Sequence, residues 1–368
     1  MGRAKGSAFP RNNRWIKDAV LSLLKPVRFG NIVLPGNLFL APVAGYSDRA
    51  FRSVCVELGA NFTCTELVSS EALTRNSAKT AHLMRRADNE KAYAIQLFGA
   101  DPITMGKATE MLVDFKPEVV DVNCGCPVAK VVKTGAGSGL LRDPSRLARV
   151  VEAVVSASRK VLGGVPVTVK IRSGWDEGSL NYRETARVAV EAGAALVALH
   201  ARTRAQAYSG KANWDHIADL SSALSVPVVG SGDLFSAQAA AEMLTHTGCA
   251  AVMFARGAMG NPFIFAETRE YLEKGSFSPV PISLRMNTAF RQLGLLALDA
   301  GEEIACKEMR KQFCAYLKGV PGAASVRNSL VHASTIDEYR SILEVSGLFE
   351  FAINTAPHYD PSTGMAHE

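Results

Sequence analysis

No uncharged apolar run in this chain approaches the ~20 residues that a bilayer-spanning helix needs, which points to a soluble protein. Cysteine is sparse: seven in 368 residues, an odd number without framework density, which speaks against a disulfide-stapled secreted scaffold and for free thiols in the cytoplasm. Charge of one sign is scarce too, since 41 basic against 35 acidic residues leave only +6. That permits a polyanionic partner without requiring one. Low-complexity stretches are missing, and hydrophobic residues at 48 % against charged residues at 21 % exclude a mainly disordered chain. A small-x-small cleavage site is missing as well. The basic residues Arg3, Lys5, Arg11, Arg14 and Lys17 precede an apolar stretch at 19–24, but Asp18, Ser22 and Lys25-Pro26 interrupt it. Trp15, Ile16, Val20, Leu23 and Leu24 recur at helical spacing, so residues 1–30 read as an extension carrying a short amphipathic helix.

What is present is an alternation. Short apolar runs at 38–41, 62–65, 93–97, 119–123, 167–171, 196–200, 226–230 and 251–254 are separated by longer helical patterns. The clearest of these has Asp143 as N-cap, Pro144 at the first helical position, and Leu147, Val150, Val151 and Val154 on one face. Others span 102–115, 182–192, 215–224 and 236–244. No G-x-G-x-x-G follows the first run, which argues against a dinucleotide-binding doubly wound sheet. The pattern predicts an α/β fold, a (β/α)8 TIM barrel over residues 31–278. After Pro279-Val280-Pro281 it turns purely helical, at 284–300, 303–318, 323–332 and 336–348. That predicts a small helical-bundle domain over 282–350, followed by a mobile tail at 351–368.

In such barrels the chemistry sits where strands end. The ends here read Pro42 to Gly45, Glu66, Gln96, Asn123 with Cys126, Lys170 with Arg172, His200 with Arg202, Gly230-Ser231-Gly232, and Arg256-Gly257. Burying such groups without partners costs roughly 2 kcal/mol each, a cost that a polar ligand at the barrel mouth removes. The two glycine-rich ends, with Arg256, suit backbone binding of a phosphate, although each glycine could equally serve a tight turn. Lys170 suits negative charge on a reduced flavin ring, with Gln96 and His200 at the ring's polar edge; a salt bridge for Lys170 and a satisfied core His200 are the plain alternatives. Cys126, held between Gly125 and Pro127, is presented in a restrained loop. With no further clustered ligands a metal site is not expected, whereas a protonated thiol there suits a general acid. Cys124, Cys55, Cys64, Cys249, Cys306 and Cys314 read as small buried side chains.

Several of these stretches also carry a family resemblance. They are Ala41 to Gly45 with Asp48, Gln96 to Gly99, Asp121 to Pro127 with Lys130-Val131, Gly135 to Ser138, Val169 to Trp175, His200 to Arg204 with Tyr208-Ser209-Gly210 and Trp214, and Arg256 to Pro262. With Lys307 to Lys311, Tyr316 to Gly319 and Arg327, they make residues 34–345 resemble the tRNA-dihydrouridine synthases of the bacterial B type. Val43 stands where methionine is usual in that family, and Ser231 where an asparagine is common.

The resemblance implies reduction of tRNA uridines to 5,6-dihydrouridine. FMN reduced by NADPH would give hydride to C6 while Cys126 protonates C5. It implies FMN contacts from Ala41, Pro42, Val43, Gln96, Lys170, His200, Gly230, Ser231, Gly232, Arg256 and Gly257, and uracil contacts from Asn123, Arg172 and Arg202. Lys307, Arg310, Lys311, Lys318 and Arg327, with Glu308 the one acid between residues 304 and 336, would face tRNA phosphates; a solvated helix face is the alternative. A monomer is expected. Competing functions are an FMN barrel oxidoreductase acting on a small pyrimidine, which would not need the basic helices, and a tRNA chaperone, which could dispense with Cys126 and Lys170.

Overall fold

The computed structural model describes residues 23–346, together with the strand pair His358–Asp360 and Met365–His367. The extension helix expected near residues 15–24 falls almost wholly outside the described residues, as does most of the tail expected to be mobile.

The apolar runs form a barrel of eight parallel strands: β1 (Leu38–Leu40), β2 (Thr63–Cys64), β3 (Tyr93–Phe98), β4 (Val119–Cys124), β5 (Val167–Arg172), β6 (Leu196–His200), β7 (Val228–Ser231) and β8 (Ala251–Phe254). They pair in chain order and β8 pairs β1. Between β1 and β2 the ring is bridged by Leu40 N–H to Phe62 O at 2.9 Å and Asn61 N–H to Leu38 O at 2.8 Å. These strands read as continuous apolar runs because both faces are covered. Leu38, Leu40, Val120, Val122, Val169, Ile171, Val197, Leu199, Val252 and Phe254 pack outward on the surrounding helices. One of those helices, Pro144–Val161, starts where expected, with Asp143 accepting from Arg146 N.

The residues between them point inward. Phe39, Phe62, Ala94, Val119, Leu196, Ala198, Val229 and Ala251 fill the lower barrel. An antiparallel ribbon that sequence periodicity did not reveal, Val27–Phe29 with Ile32–Leu34, inserts Val27, Phe29 and Leu34 into the same cluster. It closes the N-terminal end, so the barrel is a filled core open to ligands at its other end.

The C-terminal region is helical, as expected: Ile282–Ala300, Glu302–Tyr316, Ala323–Leu330 and Ile336–Val345. These helices share their own core of Met286, Phe290, Leu293, Met309, Phe313, Tyr316, Tyr339 and Leu343, joined by Ala50 from the helix Arg49–Glu57. Gly260, at φ +64°, marks the junction, since a Cβ there would stand 2.3 Å from the carbonyl carbon of Ala315. Gln312 Nε2 also donates to Asp48 Oδ2 at 3.2 Å, and Arg291 pairs with Glu57.

Under the helix Arg49–Glu57 lies a fully buried ion pair. Arg52 Nε meets Glu90 Oε1 at 2.8 Å, and Arg52 also donates to the carbonyls of Ser47 and Arg85. Removing one partner strands a buried charge, so Arg52→Met is expected to cost about 3–5 kcal/mol in urea unfolding. An unchanged midpoint would show that Glu90 tolerates burial alone.

Candidate active site

Ala41, Pro42 and Val43 after β1, Asn123 on β4 and Cys126 after it, Lys170 and Arg172 on β5, His200 on β6, Ser231 on β7 and Gly232 after it, and Arg256 and Gly257 after β8 line one cavity of about 400 Å3. Strand register makes the grouping. Asn123 lies opposite Lys170, Arg172 opposite His200, and His200 opposite Ser231.

Beneath the cavity runs a buried polar layer. Asp121 accepts from Thr168 Oγ1 at 2.5 Å and from Gln96 Nε2 at 2.6 Å. Burial pushes its carboxyl up to about 6, against the pull of those two bonds. Because an acceptor carboxylate claims the Gln96 amide nitrogen, Gln96 Oε1 is left to accept from Asn123 Nδ2 at 2.8 Å. Asn123 Oδ1 in turn accepts from Gly125 N at 3.2 Å and Cys126 N at 2.9 Å. Gln96, expected at the ring's edge, is therefore fully buried and absent from the cavity wall; its amide orients Asn123.

Two other expected site residues also lie off the cavity wall. Gly230 faces the helix Ala237–Thr247, where a Cβ would stand 2.6 Å from Met243 Sδ. Arg202, expected at the uracil, grips Asp233 with contacts of 2.7 and 2.8 Å and donates to Ser209 O and Gly210 O. Its Nη1 sits 3.4 Å from His200 Nε2, so the guanidinium ties the rim loops together.

The Cys126 loop is clamped from several sides. Arg172 Nε donates to Gly125 O at 2.9 Å, and Ser138 N donates to Cys126 O at 3.0 Å. Gly137, at φ +58°, lets that close approach occur, because a Cβ would stand 2.9 Å from Cys126 O. The Cys126 thiol is half-buried, and burial raises its pKa against the smaller pull of Val128 N–H, Arg172 and Lys170. Cys124 is fully buried, as expected of a packing thiol, and Cys314 is the other half-buried one. Among the described residues no group of His, Cys, Asp and Glu could hold a metal ion.

The adjoining wall is cationic. Burial and the neighbouring Arg172 bring Lys170 down to about 8, with Asp121 pulling the other way. Burial also lowers Arg172 to about 10. His200 is held neutral, chiefly by burial and then by Lys170, Arg172, Arg202 and Arg256. Lys170 forms no ion pair among the described residues, so a charge lines the cavity without a direct counterion. Further round, Arg256 stands 3.5 Å from Asp233, with its guanidinium 4.7 Å from the Tyr208 ring and 5.1 Å from the Phe235 ring. Gly257 is required there, since a Cβ would sit 1.9 Å from Leu234 O. Tyr208 and Phe235, both more than half exposed, are cavity residues that strand-end reasoning passed over; Tyr208 appeared only within a motif and Phe235 carried no signal.

None of the helical-region candidates lines the cavity. Lys307 pairs with Glu303 at 2.7 Å and Lys311 with Glu308 at 2.5 Å. Lys311 Nζ also lies 5.6 Å from the ring of Tyr46, a cavity residue. Arg310 donates twice to Ala333 O and Arg327 to Leu317 O, while Lys318 is exposed. The surface is thus less cationic than its sequence window suggested, because Glu303 lies just outside that window.

A sequence model of the family described as dihydrouridine synthase (Dus) matches residues 39–351. The chain belongs to the dihydrouridine synthase family. A probable tRNA-dihydrouridine synthase of Treponema pallidum is 51 % identical over 327 residues, covering 88 % of this chain and 96 % of that protein. The tRNA-dihydrouridine synthase B of Pseudomonas aeruginosa is 37 % identical, covering 82 % and 90 %. Among solved structures, 6-hydroxypseudooxynicotine amine oxidase of Pseudomonas geniculata matches with a TM-score of 0.55 at 13 % identity, covering 92 % of this chain and 69 % of that one. Histamine dehydrogenase from Rhizobium sp. 4-9 matches with a TM-score of 0.51 at 15 % identity, covering 79 % and 51 %. At such identities these two speak for the barrel fold alone. Within the dihydrouridine synthase family the B-type resemblance of the motifs agrees with the name of the Pseudomonas aeruginosa relative, and the chain is an enzyme of that family.

A raised thiol pKa has a direct readout. Alkylation of Cys126 by iodoacetamide, followed site by site by mass spectrometry, is expected to rise with pH around a midpoint above the ~8.5 of a free thiol. Asn123→Ala, which frees the loop, is expected to move the midpoint back toward that value. A midpoint below it in the parent protein would contradict the burial argument.

Proposed function

We propose that this protein binds FMN and uses NADPH to reduce particular uridines of tRNA to 5,6-dihydrouridine, with Cys126 as the proton donor. The observation that carries the reading is the arrangement of the cavity: a half-buried thiol on a clamped loop adjoins a wall whose half-buried cation, Lys170, has no ion-pair partner among the described residues. The residues present fit FMN. Gly232, Arg256 and Gly257, with backbone from Gly230 and Ser231, suit its phosphate. Ala41, Pro42 and Val43 offer an apolar wall, and Lys170 with neutral His200 suits the polar ring edge. Gln96 would act through Asn123. When bound and reduced by NADPH, FMN supplies the hydride that arrives at uracil C6.

The chain's own residues supply the rest. The high thiol pKa keeps the proton on Cys126 Sγ at neutral pH, the state an acid needs, and that proton goes to C5 as the C5–C6 double bond is lost. The thiolate left behind recovers a proton from solvent. Arg172, which remains a cation, and the Asn123 amide stabilise negative charge developing on the uracil. Arg202 serves by holding Asp233 and the rim loops. Outside the cavity, Lys318 offers an exposed ammonium group to tRNA phosphates, Lys307 and Lys311 offer ones that would exchange Glu303 and Glu308 for phosphate, and Arg310 and Arg327 hold backbone carbonyls near them. The uridine must leave its stack to reach the cavity. We read the protein as a monomer that works on tRNA in the cytoplasm; no helix among the described residues is long and apolar enough to cross a membrane.

The deciding experiment incubates the protein with FMN, NADPH and unmodified tRNA and maps dihydrouridine by mass spectrometry. Dihydrouridine in the tRNA with poor turnover of free uracil is expected; turnover of uracil or dihydroorotate at matching rates would favour a small-molecule enzyme. The cofactor site has its own pH test. An anionic ligand raises the pKa of Lys170, so between about 8 and the bound-state value binding takes up a proton. FMN affinity is therefore expected to fall as pH rises above 8. Lys170→Met should weaken binding and flatten this dependence; a parent-like pH profile would remove Lys170 from the site.

A further inference from the structure

Around the mouth, three consecutive strand-end loops each contribute one side chain to a cluster that the reaction does not use. The 3-10 helix Gly137–Arg142 after β4 ends on Arg142, the loop after β5 carries Trp175, and the loop after β6 carries Arg204. Arg142 Cζ stands 4.9 Å from the Trp175 ring centroid and Arg204 Cζ 4.5 Å from it. The loops are tied together by Arg204 N–H to Gly174 O and Ala205 N–H to Trp175 O, both 2.9 Å. The cluster is also continuous with the cavity. Arg172, a cavity residue, donates to Thr203 O and Ala207 O on either side of Arg204.

Its charge is unbalanced. Among the described residues neither arginine forms an ion pair, and Arg204 Nε is buried without a hydrogen-bond partner. The adjacent Asp176 accepts from Ser179 Oγ. Two like charges gathered on one indole, with no carboxylate against them, are held at a cost that an anion would relieve. A guanidinium lying on a ring keeps its in-plane N–H groups directed outward for a phosphate. By contrast, the cations of the helical face are largely engaged, Lys307 and Lys311 by carboxylates and Arg310 by Ala333 O.

We propose that Arg142, Trp175 and Arg204 form a phosphate-binding RNA clamp on the barrel rim, which holds the substrate strand beside the cavity on the wall built by β4 to β6. The proposal rests on the tRNA reading above. It places a docking element on the barrel itself, and its ligand is the phosphodiester backbone, read without regard to base sequence.

The test measures tRNA binding against salt, and steady-state kinetics, for the parent and for Arg142→Gln/Arg204→Gln. Each lost phosphate contact is expected to lower the magnitude of the log–log salt slope by about 0.9 and to weaken binding roughly tenfold. The KM for tRNA should rise while kcat and bound flavin stay near the parent's. The charge-matched pair Arg159→Gln/Arg187→Gln, on the outer helices Pro144–Val161 and Tyr182–Glu191, should leave the slope nearly unchanged. Should the double variant lose flavin or fold poorly, Arg142→Gln alone, at an exposed position, is expected to lower the slope by about 0.9. Parent-like slope and KM would show that the cluster only ties loops together and would overturn the clamp, with dihydrouridine formation by the parent leaving the tRNA reading intact. A parent protein that binds no tRNA would overturn that reading itself.

Discussion

A chain of hydrogen bonds across the barrel interior, from Thr168 through Asp121, Gln96 and Asn123 to the backbone N–H of Cys126, is the constraint on which the site depends. Each link sets the next. An acceptor carboxylate forces the Gln96 amide one way round, which presents its oxygen to Asn123 and leaves the Asn123 oxygen for the loop. Buried polar groups in such a layer are costly unless all are satisfied, so the network tolerates one arrangement. Three neighbouring strands are thereby coupled to the position of one thiol.

Above that layer the balance is deliberately uneven. Lys170, Arg172, Arg202 and Arg256 converge near a neutral His200, while Asp233 answers mainly Arg202 and Arg256. Burial raises the energy of each charge, and the clearest relief available to Lys170 is an anionic ligand. The same logic explains the glycines. Gly137 and Gly257 occupy points where a Cβ would strike the Cys126 and Leu234 carbonyls, so the loops approach as closely as backbone allows. Stability has been exchanged for a preorganised, cationic mouth.

Much of this was legible in the sequence, for physical reasons. Strands covered on both faces are apolar over most of their length, so all eight stood out, with some ends displaced by a residue or two, as at β7, where 226–230 became Val228–Ser231. The ribbon Val27–Phe29 with Ile32–Leu34 escaped because three-residue strands carry too little periodicity. At the mouth, residue type told which groups mattered but not which way they faced. Gln96 and Arg202 look like ligand contacts until Asp121 and Asp233, 25 and 31 positions along the chain, claim them. Arg310 likewise gave no sign that it would meet Ala333, 23 positions on. Same-strand spacing was readable, and partners brought together by folding were not.

In the proposed reaction the Asn123-held thiol delivers the proton. The direct measurement is the rate at which tRNA reoxidises protein prereduced with NADPH, followed by stopped flow as a function of pH in the parent and in Cys126→Ala. A Cys126-dependent rate is expected that is full at neutral pH and falls as pH rises through the raised thiol pKa, with a slow residual rate in the variant and NADPH reduction unimpaired. A variant that reacts with tRNA as fast as the parent, or a parent rate that climbs as the thiol ionises, would contradict it.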